Sequence, residues 1–219
     1  ISSLGYMNTN PYTLNVIDTT CEGNNATFGG AIFVESSNLK VDNCTFENNK
    51  GVGVGSTGTS NTHGGAIVVF PTGASANISD STFIGNSANA GGAVSFAGVD
   101  GDTTVDNCTF INNAANDGGA VYLWTQGDAT VTVENSEFDG NTAGWGSAIS
   151  TDGTLKLSNN TISGDATAIG NWSGSITSEL IVTVLDAETH TFVEDVNLYA
   201  VVTDDNGNLV MDHTLKFYL

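Results

Sequence analysis

Arginine is absent from this 219-residue chain, and lysine occurs four times against 24 aspartates and glutamates, a formal net charge of −20. A nucleic-acid binder needs a basic face to displace counterions from phosphates, and four lysines cannot build one. An anionic membrane surface would repel the chain. Arginine forks that clamp phosphates or carboxylates are excluded outright. No run of about 18 apolar residues occurs, so the sequence offers no membrane span. The chain begins at Ile1 rather than Met and shows no signal peptide, which reads as a mature or excised fragment.

Proline occurs only twice, whereas glycine occurs 27 times, asparagine 25 and threonine 28. With 39% hydrophobic and 13% charged residues, this composition points to an all-β protein rich in turns. The apolar residues recur regularly, which argues against disorder.

The recurrence is an internal repeat. Phe46–Asn49, Phe83–Asn86, Phe110–Asn113 and Phe138–Asn141 each read F-x-x-N, and Cys21–Asn24 is the same motif with Cys for Phe. Each is followed by a second motif: Gly29–Ile32, Gly64–Ile67, Gly91–Val94 and Gly118–Val121 read G-G-A-[IV], and Gly146–Ile149 has Ser147 at the second place. Asn and Gly are five residues apart in four copies and 15 in the second, which places an inserted Gly/Ser/Thr-rich loop at about residues 51–61. A short alternating strand precedes each Phe, as in Leu39–Asn43 and Val131–Asn135, and Leu155–Asn159 with Ile162 opens a degraded sixth copy. The regular period is 27 to 28 residues.

One such unit cannot bury its own apolar face, but units stacked at the strand spacing of about 4.8 Å can. The object with this period is a parallel β-helix of about six coils. Cys21, Phe46, Phe83, Phe110, Phe138 and Ile162 should form one inner column, and Ile32, Ile67, Val94, Val121 and Ile149 another. Asp18, Asn43, Asp80, Asn107, Asn135 and Asn159 fall at one bend, where Asn and Asp tolerate left-handed backbone.

These paired motifs resemble the repeats of the polymorphic outer-membrane proteins of chlamydiae. The Asn-Cys-Thr-Phe variants at 43–46 and 107–110 also resemble adhesin-like surface proteins of methanogenic archaea, whose β-helices are commonly followed by immunoglobulin-like modules. The resemblance covers residues 13–170 strongly and 178–219 weakly. It implies a right-handed, single-stranded, pectin-lyase-like β-helix on an extracellular cell surface, and departs from the pattern at Cys21, Ser147 and residues 162–169.

Two domains are expected: the β-helix over residues 1–177 and a partial immunoglobulin-like β module over 178–219. In the latter, Leu180–Leu185, Val196–Thr203 and Thr214–Leu219 read as strands, with a hairpin signal at Asp205–Asn208. A whole sandwich needs about 100 residues, so self-association through 178–219 by strand addition is one expectation.

The candidate chemistry is sparse. Lys40 and Lys156 share a column four coils apart and cannot act on one sugar. Paired Asp from Asp102, Asp128 and Asp152 could serve polysaccharide hydrolysis, which needs carboxylates about 5 to 10 Å apart, but their loops have turn composition. The expectation is that the chain is not an enzyme. No cofactor is implied; calcium is the one candidate ion, on Asp100, Asp102 and Asp128. His63, His190 and His213 are too scattered for a zinc or triad set. Cys44 and Cys108 stand two coils apart, beyond the roughly 7 Å a disulfide allows, and free thiols suit an anaerobic habitat. Six N-x-[ST] sequons occur. Asn43, Asn107 and Asn159 lie in the bend column and are expected to turn into its ladder, which leaves Asn25, Asn77 and Asn171 as outward glycosylation candidates.

The aromatics Phe33, Tyr122, Trp124, Trp145 and Trp172 are the candidate ligand-binding residues, because outward rings stack on sugars or anchor protein partners. The sequence therefore reads as a cell-surface adhesin whose loops and aromatics contact a glycan or surface protein of another cell. A polysaccharide-active β-helix and a filament or sheath subunit are the alternatives.

Overall fold

A computed structural model describes residues 1–4, 12–53, 62–70, 75–99, 101–125, 129–163, 168–178, 180–184 and 200–204. Three parallel sheets build it, with seven, seven and six strands, and each strand pairs with its equivalent in the coils before and after. The first sheet stacks Ser2–Leu4, Ile32–Glu35, Ile67–Phe70, Val94–Val99, Val121–Thr125, Ile149–Thr151 and Ile169–Asn171. The second runs from Thr13–Ile17 through Asn38–Asp42, Ala76–Ser79, Thr103–Asp106, Thr130–Glu134 and Thr154–Ser158 to Ser175–Ser178. The third, from Thr20–Glu22 to Thr161–Ile162, has six strands and so rises through about five turns. The fold is an all-β parallel solenoid, and no helix among the described residues is long and apolar enough to cross a membrane.

The register reproduces the expected columns. Cys21 pairs with Phe46, Phe46 with Phe83, Phe83 with Phe110, Phe110 with Phe138, and Phe138 with Ile162. The four phenyl rings are fully buried and stack 4.7–5.0 Å apart within 7° of parallel. That spacing is the strand repeat itself, so the backbone ladder and the ring stack reinforce each other. Ile32, Ile67, Val94, Val121 and Ile149 form the second inner column.

The Asn that ends each F-x-x-N is the main polar element of the interior. Asn49, Asn86 and Asn113 are fully buried and Asn141 nearly so. The Asn113 Oδ1 accepts from both the backbone N–H and the side-chain amide of Asn86, at 2.9 and 3.0 Å, while the Asn113 amide donates to Asn141 Oδ1 and to the Phe83 carbonyl, each at 3.0 Å. The same bonds recur from Asn24 upward. The ladder satisfies the turn backbone where no sheet partner reaches it. The residue before it is always Gly or Asn at positive φ, from Gly23 to Gly140.

The second bend holds Asp18, Asn43, Asp80, Asn107, Asn135 and Asn159 at φ 51–54°. Their side chains are exposed and bond along the outside, as Asn43 to Asp18 at 2.7 Å and Asn159 to Asn135 at 2.8 Å. The ladder expected for Asn43, Asn107 and Asn159 is thus a solvent-facing one, distinct from the buried ladder. Residue types at the two bends overlap, so only the register separates them.

The glycine pair has two separate causes. Gly91 sits at φ +67°, whereas a Cβ on Gly92 would lie 2.0 Å from the Gly119 carbonyl oxygen of the next coil. Successive coils touch backbone to backbone here.

Leu180–Val184 pairs antiparallel with Ala200–Asp204, overlapping the first two strand-like runs after residue 178, with residues 196–199 of the second run outside the described residues. The third run, Thr214–Leu219, and the Asp205–Asn208 signal lie outside the described residues.

Candidate functional site

The first sheet differs from the other two in what it carries outside. In a strand, alternate side chains face opposite ways; Ile67, Val94, Val121 and Ile149 point inward, so their successors point outward. Phe33, Val68, Ser95, Tyr122, Ser150 and Gly170 therefore form one outward column. Beside it, Trp124 follows Ala97 in register, and the ladder continues through Asp152 and Trp172, whose N–H groups bond to Leu123 and Thr151 at 3.2 and 2.9 Å. On the other side runs a column of turn residues, each immediately before a Gly motif: Phe28, His63, Ala90, Asp117 and Trp145.

Two aromatic groups result. Toward the N-terminal end, Phe28, Phe33, His63 and Phe70 pack with ring centroids 5.5–6.4 Å apart. His63 shares a 3.3 Å hydrogen bond between Nδ1 and Ser95 Oγ, and burial holds its pKa below the ordinary 6.5. Tyr122 joins this group through His63, with centroids 6.0 Å apart. Phe33 is consequently half-buried in a ring cluster.

Toward the C-terminal end, Trp145 and Trp172 tilt against each other at 5.4 Å. The Trp145 indole lies over Gly170, where a Cβ would come within 2.5 Å of its ring. Trp124, Trp145 and Trp172 are 44%, 39% and 62% exposed, far more than core packing would leave them. The tyrosine hydroxyl of Tyr122 is pushed above its ordinary pKa of 10, first by burial and then by the charges of Asp152 and Asp117. Two carboxylates therefore stand within electrostatic reach of the aromatic wall. Of the five aromatics singled out by sequence, the fold brings Trp145 and Trp172 into ring contact, sets Trp124 two coils from Trp172, joins Tyr122 to His63 and leaves Phe33 at the far end of the Tyr122 column.

Sequence reasoning missed Phe28, Phe70, Asp117 and Ser150, and placed His63 only among scattered histidines. For Phe28, His63 and Asp117 the available signal was the position just before each Gly motif, which is one column, and for Ser150 it was the position just after the second inner column.

The other candidates are dispersed. Asp102 is exposed, and Asp100 and Asp128 lie outside the described residues, as do His190 and His213. No group of three metal-ligating side chains occurs among the described residues. Lys40 and Lys156 stand in one column of the second sheet with Asn77, Thr104 and Thr132 between them. Asn25 and Asn77 are exposed, and the exposed Asn171 closes a turn with Gly174 through bonds of 2.8 and 2.9 Å.

The cysteines are free. Cys44 and Cys108 alternate in one column with Ser81 and Ser136. Each Sγ donates to the carbonyl two residues back at 3.2 Å, as each serine hydroxyl does at 2.7 Å. Burial pushes the Cys108 thiol up to about 12, so it serves as a structural hydroxyl analogue rather than a nucleophile.

Comparison with known proteins gives no match among curated proteins and none among solved structures. The family model for the Chlamydia polymorphic membrane protein (Chlamydia_PMP) repeat matches residues 107–123 and 135–152, the two coils whose outward side chains include Tyr122, Trp145 and Ser150.

Proposed function

We propose that this chain is the rod of a cell-surface adhesin, and that its adhesive face is the C-terminal half of the first sheet's outer surface. The observation that carries this reading is that all three tryptophans of the chain lie on one outward face, Trp145 against Trp172 and Trp124 two coils from Trp172, and remain exposed there. The inner columns and the asparagine ladders make a stiff stack; they leave the outward residues free to vary. The match to a repeat of chlamydial membrane proteins supports a surface location. The partner is a glycan or protein on another cell or host surface, and residues 51–61, 100 and 126, most of them outside the described residues, would add contacts.

The test is to pass the purified chain over a panel of immobilised glycans and surface proteins, with and without Ca²⁺. Retention and release of new reducing ends are both read. Retention without product is expected. Product release would replace this reading with a polysaccharide-active β-helix using paired Asp. Self-association through 178–219 without any retention would favour a filament or sheath subunit.

A further inference from the structure

We infer that the aromatic wall at the C-terminal end of the first sheet is an ammonium-binding site, whose occupant is an exposed lysine of a partner protein. This rests on the adhesive reading and names its ligand chemistry.

Three independent features converge on one patch. The first is the ring set: Trp124 and Trp172 stand two coils apart on one side of the column of Tyr122, with Trp145 leaning in from the turn side over Gly170. Faces of Trp and Tyr carry negative charge density and attract ammonium groups placed within about 6 Å of the ring centre. The second is charge: Asp117 and Asp152 both act on Tyr122, one from each flanking column. The strands of the first sheet contain no lysine. The third is a polar floor. Ser150 stands outward between Tyr122 and Gly170, is fully buried, and its Oγ has no hydrogen-bond partner among the described residues. A buried hydroxyl of this kind costs stability unless something pairs with it. An ammonium group carries three donors and no acceptor, so it can serve the Ser150 oxygen and a carboxylate together once the rings part.

Charge decides between a cation and a neutral sugar. On a chain of net charge −20 with no arginine, a lysine-bearing surface is drawn in by the whole field as well as by the patch. A neutral glycan would use the rings but gain nothing from the field, and an acidic one would be repelled.

The three tryptophans all belong to this patch, so intrinsic fluorescence reports it alone. The probe is an alternating Lys-Gly peptide titrated into the purified chain, with its lysine-acetylated form and a neutral oligosaccharide as comparisons. The Lys peptide should change the tryptophan emission saturably; the acetylated peptide should not. Raising salt from about 50 to 500 mM should weaken binding at least about tenfold, because the Debye length shortens from above about 10 Å to below about 8 Å and exposed charges are screened. Trp172→Ala and Asp117→Asn should each weaken binding about fivefold or more. Asp80→Asn, an equal charge change on an exposed bend, should leave it within twofold. Circular dichroism of each variant separates lost binding from lost fold.

Equal weakening by Asp80→Asn would show a general polycation effect and overturn the inference. So would tight, salt-independent binding of the neutral oligosaccharide. If the chain is retained on the surface panel but ignores the Lys peptide, the ammonium site falls and the adhesive reading stands. If neither binds, both fall.

Discussion

Asn107 and Asn113 stand six residues apart in one coil and do unlike work. Asn113 is sealed in the interior and serves four bonds. Asn107 is exposed and holds a left-handed bend at φ 51°. Replacing Asn113 by Ala strands the Asn86 N–H and the Phe83 carbonyl, and each lost buried partner costs about 1–3 kcal/mol. Urea unfolding should show Asn113→Ala destabilised by about 2–4 kcal/mol. Asn107→Gly keeps the backbone angle and should stay within about 1 kcal/mol of the parent. His63 gives a pH signature. Its folded pKa lies below the ordinary value, so the unfolded chain binds its proton first. Stability from this group is full above pH 6.5 and is lost as pH falls below it. Comparing unfolding at pH 7.5 and 5.5, His63→Gln should lose less on acidification than the parent. The Cys108 thiol, held near 12 and 1% exposed, should resist alkylation in the folded protein while half-exposed Cys21 reacts first; mass mapping of the labelled peptides checks the order.

At the scale of the coil, strand register follows from the spacing of Phe, Asn and Gly-Gly-Ala, because every inward column must match for the stack to close. Those columns were legible residue by residue, from Cys21 to Ile162 and from Ile32 to Ile149. The split between the two asparagine positions was not, since Asn suits both a buried amide ladder and an exposed left-handed bend. The glycine pair makes a sharp prediction about coil contact. Gly92→Ala drives a methyl against the Gly119 carbonyl at 2.0 Å, which neither backbone can avoid without opening the stack. It should cost about 3 kcal/mol or more by thermal or urea unfolding. Gly23→Ala meets nothing within 4 Å and strains only φ, a cost of about 1–2 kcal/mol.

Over the whole molecule, the stack converts distance in sequence into adjacency on a face. Trp124, Trp145 and Trp172 are 21 and 27 residues apart, near one repeat, and so arrive on successive coils, Trp124 within its strand, Trp145 in the turn before the next strand and Trp172 just past the strand after that. The aromatics could be named from the sequence; that Asp117, Asp152 and Ser150 stand among them could not, because their outward direction depends on the turn between coils. This outer face is the proposed adhesive surface. The most direct test measures retention of the parent chain and of a Trp124→Ala/Trp172→Ala double variant on the same panel of cell-surface glycans and proteins. Both rings are exposed, so the variant should fold like the parent by circular dichroism. Retention should fall at least about tenfold, a loss near 1.4 kcal/mol. Undiminished retention by a folded double variant would contradict it.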